Sequence, residues 1–160
     1  MRHSGIFIAV IDNALTSGTE VRFRAEGASM YPSIRDGETI TVVAVSPDAV
    51  VRGDVLLCRN GTRVLAHRVV GVAMHGTERL FQLKGDAKIE CDAPVRARAI
   101  VGAVVNVRRN GRLIPLGGRA SHMRRAARAA GSRARRFVAS GATVFPVLAM
   151  LNARLERFRR

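Results

Sequence analysis

Between Glu20 and Ile114 no apolar run goes far before turn chemistry interrupts it. Asn60-Gly61 and Asn110-Gly111 are the strongest interruptions, because Asn and Gly both tolerate positive φ and favour two-residue hairpin loops. His75-Gly76 and Ser46-Pro47-Asp48 supply two further turns. The runs between them are short and rich in Val, Ile and Leu. Val21, Phe23 and Ala25 alternate with Arg22 and Arg24, which is the period of a half-buried strand. Similar stretches cover residues 39–45, 55–59, 63–73, 80–83, 100–107 and 112–114. Seven or so short strands with frequent turns predict a mostly-β domain, a small barrel or coiled sheet. Ahead of them Ser4 can cap a short helix that runs to about Ser17 and ends at Gly18. Phe7, Val10, Ile11, Ala14 and Leu15 fall on one face of that helix, as core-packing residues do.

The composition divides the chain in two. The net charge is +15, yet residues 119–160 contain eleven arginines and a single acid, Glu156. Gly117-Gly118 marks the boundary, giving a β domain over 1–118 and an Arg-rich, partly apolar, helical tail over 119–160. Such asymmetry points to an acidic surface as partner, anionic lipid or nucleic acid. The apolar stretch 137–151 has fifteen residues, broken by Ser140, Gly141, Thr143 and Pro146. As a helix it would reach about 22 Å, short of a hydrocarbon core of about 30 Å. Interfacial or shallow insertion fits it better than a full span, and a helix docked on the domain or a partner is the other reading. The run 6–11 stops at Asp12 and is also too short to span, so no spanning helix is expected before Ser29. The expected location is a membrane surface, reached peripherally or through 137–151, and otherwise the cytoplasm. The two cysteines, Cys58 and Cys91, form no CxxC and carry no zinc or redox signature. No metal cluster, phosphate-binding loop or dinucleotide fingerprint is visible, and no cofactor is expected.

Chemistry concentrates around Ser29. This serine follows the first strand, has small residues before it and leads into Met30-Tyr31-Pro32 and a turn at Asp36-Gly37-Glu38. A nucleophile needs that combination of steric access and rigid support. Further on stand Arg52-Gly53-Asp54-Val55-Leu56, Ala66-His67-Arg68-Val69-Val70, and Lys84-Gly85-Asp86 through Asp92. Taken in that order, from about Val21 to Val107, these segments resemble the boxes of signal peptidase I and of the wider serine peptidase clan that includes self-cleaving LexA-type repressors.

The resemblance implies a serine endopeptidase on a small, coiled, LexA-like β domain. Bacterial members mostly use a lysine as base, whereas archaeal and endoplasmic-reticulum-type members use a histidine. Here His67 stands where the lysine would fall, and no lysine precedes Lys84. A histidine, which titrates near neutral pH, suits a general base, although a strand position shared with Leu65 and Val69 would also fit a core side chain. In the histidine-type relatives two aspartates follow six residues apart, as Asp86 and Asp92 do. Asp92 then matches the carboxylate that orients the base, and Asp86 a supporting carboxylate that orders the turn. The Ala87-Lys88 pair departs from the Asn-Asn common in the relatives. The Ser29 N–H would receive the oxyanion. Many relatives add a serine hydroxyl two residues earlier, where this chain has Gly27, so backbone would have to complete the hole. Met30, Tyr31 and Pro32 would wall the pocket for small side chains. Asp36 and Asp54 read as turn residues.

The reading that follows is a Ser29–His67–Asp92 peptidase cutting a precursor or signal-type peptide after small residues. The alternative is a non-catalytic peptidase-like module that binds an anionic membrane or nucleic acid. A self-cleaving repressor is disfavoured, because only 28 residues precede Ser29 and the lysine is missing. A nucleic-acid protein would rest on charge alone, without interleaved aromatics.

Overall fold

The computed structural model describes residues 5–61 and 63–116. The expected tail, 119–160, and the expected cap Ser4 lie outside the described residues. Helix α1, Gly5–Thr16, buries Ile8, Ile11, Ala14 and Leu15. It ends as predicted at Gly18, where φ is +76°. Gly18 N–H bonds Leu15 O at 3.0 Å and Thr19 N–H bonds Ala14 O at 2.9 Å, which together satisfy two of the last carbonyls.

Eight strands follow: β1 Val21–Arg24, β2 Thr39–Val43, β3 Val55–Asn60, β4 Arg63–His75, β5 Glu78–Lys84, β6 Val95–Arg96, β7 Ile100–Arg109 and β8 Arg112–Pro115. They form one antiparallel sheet in the order β1-β2-β7-β3-β4-β5-β6, with β8 paired to β7. The sheet is open. β1 and β6 are its ends and do not pair with each other, so the closed barrel that the strand count allowed is not formed. The short β6 has no counterpart in the sequence pattern, being only two residues of extended chain after Pro94.

The hairpin signals mark the right places, with the bend shifted by one residue in two of the three. Asn110 and Gly111 both take positive φ, 49° and 75°, and Arg109 pairs with Arg112 across them. In the β3–β4 hairpin Asn60 stays extended and pairs with Arg63, leaving Gly61, at φ 61°, to make the bend. His75 likewise remains in β4 opposite Glu78, and Gly76 turns the chain.

Both faces of the central strands are covered. Consecutive side chains of a strand point to opposite faces, and β3 is buried at all of its first four positions. Val55 and Leu57 join one apolar cluster with Ile11, Leu15, Ile40, Val42, Val104 and Val107. Leu56 and Cys58 join a second with Val50, Val69, Phe81, Leu83 and Ala103. Each fully buried aliphatic side chain contributes about 1.5–3 kcal/mol, so a strand contributing to both clusters is a rigid base. β4, the strand that carries His67, pairs with β3 along residues 63–68.

Candidate active site

Ser29 lies on the turn that joins β1 to β2. The foot of this turn is closed by Ala25 N–H to Glu38 O (2.8 Å) and Gly37 N–H to Ala25 O (2.9 Å). Inside it, Ile34 N–H bonds Met30 O at 2.9 Å, and both side chains are buried in the first cluster. Arg109 of β7 reaches across to Glu38 and also donates to Pro32 O (3.1 Å) and Ser33 O (3.3 Å). The Arg109 bond holds the Glu38 carboxyl below its ordinary titration range, against the opposing effect of burial. Asp36 Oδ1 accepts the Gly27 N–H at 2.8 Å. The expectation that Asp36 is a turn residue is therefore met. The Gly27 N–H, in contrast, is committed to a carboxylate and is not open to an oxyanion. Among the described residues the Ser29 N–H has no bonded acceptor.

His67 sits opposite Leu56 in the β3–β4 ladder and is only 2% exposed. Ser29 Oγ lies 3.0 Å from its Nε2, and Asp92 Oδ2 is bonded to its Nδ1. The partners assign the tautomer. An ionised carboxylate only accepts, so Nδ1 carries the proton and Nε2 can take one from the serine. Burial works to raise the Asp92 titration range, but the His67 and Lys88 bonds outweigh it and hold the carboxyl below its usual range. The acid therefore stays ionised near neutral pH, which a partner for an imidazolium must do.

The loop from Gly85 to Asp92 brings that carboxylate in. Ala87 N–H donates to Ser29 O at 2.9 Å, and Asp92 N–H to Leu83 O at 2.8 Å. Gln82 donates its side-chain amide to Asp92 O. Lys88 Nζ meets Asp92 Oδ1 at 3.1 Å. Gly85 makes the approach possible: a Cβ there would lie 2.6 Å from Ser29 O and 3.1 Å from His67 Nε2.

Asp86 does not touch His67 by hydrogen bond. Its two oxygens take a two-pronged pair from Arg68 Nε (2.8 Å) and a second Arg68 nitrogen (2.6 Å). The same guanidinium donates to Gly53 O (2.9 Å) and Ser33 Oγ (3.1 Å). Burial opposes ionisation of Asp86, but the Arg68 and Ser33 bonds prevail and its carboxyl titrates low. Arg68 thus ties the Ser29 turn, the 51–54 turn and the 85–92 loop to the strand that holds His67, and Asp86 meets Arg68 rather than the ring. Asp54 is buried in its turn, with Oδ2 accepting Val51 N–H at 3.0 Å.

A cleft of about 110 Å³ opens beside Ser29, lined among others by Ala25, Gly27, Met30, Leu57, Leu65 and Ala66. It lies between β1, which pairs only with β2, and the first half of β4, where pairing to β5 has not begun. Met30 lines it as expected; Tyr31 and Pro32 do not. The turn bond from Tyr31 N–H to Ala28 O carries these two residues outward, and Tyr31 is 55% exposed. Cys58 is buried, with a thiol pushed up to about 12, first by burial and then by the charge of Asp92. Cys91 is exposed and free.

The parts missed in the sequence are Arg68, Gly85, Lys88, Gln82 and Arg109. Arg68 carried one signal, a charge set within an apolar strand run, which demands a partner. Gly85 carried another, a glycine directly before an acid. The other three carried none. Comparison with protein-family models, with curated proteins and with solved structures gave no match.

Proposed function

We propose that this protein is a serine endopeptidase of signal-peptidase type, acting through Ser29, His67 and Asp92. The observation that carries the reading is the continuous chain from Ser29 Oγ through both ring nitrogens of His67 to Asp92. Three residues drawn from a turn, a strand and a loop meet in the order that nucleophilic catalysis requires. Their distance and tautomer also suit the task. A solvated polar cluster has no need of a buried imidazole with a bonded partner on each nitrogen.

In this reaction the peptide lies extended in the cleft beside β1 and β4, adding main-chain hydrogen bonds to a free strand edge. Ala25, Gly27, Met30 and Ala66 leave room for small side chains ahead of the cut. His67 Nε2 takes the proton from Ser29 Oγ as it attacks the scissile carbonyl. Asp92 stabilises the resulting imidazolium, and the Ser29 N–H donates to the oxyanion. His67 then passes the proton to the leaving amine, and a water activated by the same ring releases the acyl group. With the Gly27 N–H engaged by Asp36, this hole has one donor fewer than a residue-27 hydroxyl would provide. The missing donor is an expected cost in rate rather than a barrier to the chemistry.

The test is cleavage of a peptide library with small residues at the first and third positions before the scissile bond. Wild-type protein is expected to cut, and Ser29→Ala to lose at least about a thousandfold in rate. The substitution should shift the thermal midpoint by no more than a degree or two, since one half-exposed hydroxyl contributes little to the core. Undiminished cleavage by Ser29→Ala would remove the serine from the mechanism and leave the binding-module reading.

The partner surface belongs to the same proposal. The arginines of 119–160 and the apolar stretch 137–151 suit an anionic bilayer, at about 1 kcal/mol per basic residue near the surface. Among the described residues no helix is long and apolar enough to cross a membrane. A chain ending at Gly118 should keep Ser29-dependent cleavage and lose co-sedimentation with phosphatidylglycerol vesicles. The full chain's binding should weaken with salt. Equal sedimentation of the two would rule the tail out as anchor.

A further inference from the structure

The second oxygen of Asp92 is occupied by a group that the catalytic chain does not require. Lys88 Nζ lies 3.1 Å from Oδ1, while Oδ2 faces His67 Nδ1. Lys88 is also built into the loop. Its N–H bonds Gly85 O at 3.0 Å, and its Cγ would lie 3.2 Å from a Cβ at Gly85, where that Cβ would also meet Ser29 O and the His67 ring. The backbone of Asp92 is separately fixed by Leu83 O and by the Gln82 amide. With the main chain held, the remaining freedom of Asp92 is rotation of its carboxylate. The ring bond to Oδ2 settles that rotation, so the carboxylate keeps its place with or without a cation on Oδ1.

What Lys88 adds is its charge. A carboxylate shared between two cations stabilises each of them less. The other charged groups around the ring do not reproduce this. Asp86 acts on the ring only through space, without a hydrogen bond, and its charge is shared with Arg68, which binds on into the turns at Ser33 and Gly53. From β3, the Cys58 thiol beside Asp92 is neutral. Ser29, on the nucleophile turn, carries no charge. The group that competes directly with imidazolium for Asp92 is Lys88.

We propose that Lys88 acts on this site through Asp92: by sharing that carboxylate it weakens the acid's pull on a proton at His67, so that His67 remains an unprotonated base to lower pH than an uncontested His–Asp pair would. The proposal rests on the Ser29–His67–Asp92 reading for its catalytic consequence, but not for its electrostatic one.

Two measurements on the full chain test it. The first is the NMR titration of the His67 ring, which needs no turnover. Lys88→Met should raise its midpoint by about half a pH unit, the scale of a partly exposed ion pair. Lys88→Arg should leave the midpoint at the wild-type value. The second is the pH profile of kcat/KM on an alanine-containing peptide. Its acid limb should move up by the same amount in Lys88→Met, a loss of about threefold at pH values below the limb. A residue that merely stabilised the loop would lower the rate without moving the limb. An unchanged or lowered midpoint in folded Lys88→Met overturns the proposal, even where wild-type protein cleaves normally. The absence of Ser29-dependent cleavage overturns the peptidase reading instead, and the ring titration then decides the role of Lys88 on its own.

Discussion

The nucleophile turn and the acid loop meet at the same histidine but are held in different ways. The turn over residues 25–38 is closed at its foot by two backbone bonds, pegged into the core by Met30 and Ile34, and braced by Arg109. The loop over 85–92 is fixed near its two ends, at Gly85 to Lys88 and again at Asp92. Between them Ile89 is 94% exposed, with Glu90 and Cys91 also at the surface. On the proposed mechanism the difference follows from what each must do. The nucleophile has to arrive at one point in space, and a small displacement of the reacting atom is costly. The carboxylate only has to present an oxygen to a ring nitrogen, so two anchored ends suffice and the middle is free of packing demands.

The contact between the two regions is the place to break this comparison. Gly85→Ala puts a methyl group 2.6 Å from Ser29 O and 3.1 Å from His67 Nε2. The loop must back away, taking Asp92 with it. We expect cleavage to fall about a hundredfold and stability to drop by about 1–3 kcal/mol from overpacking, read by kinetics and urea unfolding. Wild-type behaviour in both would mean that the loop is not seated on the nucleophile turn as described.

The Arg68–Asp86 pair tests how much the loop owes to its fixed end. Asp86→Asn should cost about 1–2 kcal/mol, since it leaves a partly buried guanidinium with a poorer partner. A pH dependence accompanies it. Asp86, Asp92 and Glu38 all titrate below their ordinary range in the folded protein. Their contribution to stability is present in full above that range, about pH 4, and is lost as pH falls through the lower folded values. The thermal midpoint of the wild type should therefore decline steeply below about pH 4, and less steeply in Asp86→Asn. Parallel pH curves for the two would deny Asp86 this role.

The smallest effect is expected in the middle of the loop. Ile89→Ser should change stability by no more than about 0.5 kcal/mol, as surface substitutions away from special features do, and should leave the Ser29–His67 geometry intact. A loss above about 1 kcal/mol in calorimetry, beyond that surface range, would show that the middle of the loop packs on something and that the two regions are more alike than their contacts indicate.

Much of this architecture was legible in the chain. The change from helical to alternating spacing at Glu20 located α1 and β1, and Gly18 ended the helix where positive φ was needed. The Asn-Gly and His-Gly dipeptides found the hairpins, though not which residue of each pair would bend, since Asn60 and His75 stayed in their ladders. Whether the sheet closed was not legible, because closure depends on strand stagger and on what the end strands meet, and neither leaves a local pattern. The outward course of Tyr31 and Pro32 escaped for a similar reason: it is set by a bond from Tyr31 N–H to Ala28 O, within a turn shaped by Arg109 from far along the chain.

By itself the sequence determined which side chains were chemically able to react and in what order they came. A serine after a strand, a histidine in place of the expected lysine and two spaced aspartates stand out because few residue types can serve as nucleophile, base or orienting acid. The tertiary structure decided the contacts behind the division of the two acids that the resemblance implied. Asp86 and Asp92 are alike as residues, and their roles separate because one meets Arg68 and the other His67. It also decided the positions of Gly85, Lys88, Gln82 and Arg109 around the site, through contacts that join separate elements or fold the loop onto itself. Periodicity and propensity are local, so they record what a residue prefers to be; packing is long-range, and it assigns the neighbours that give a side chain its work.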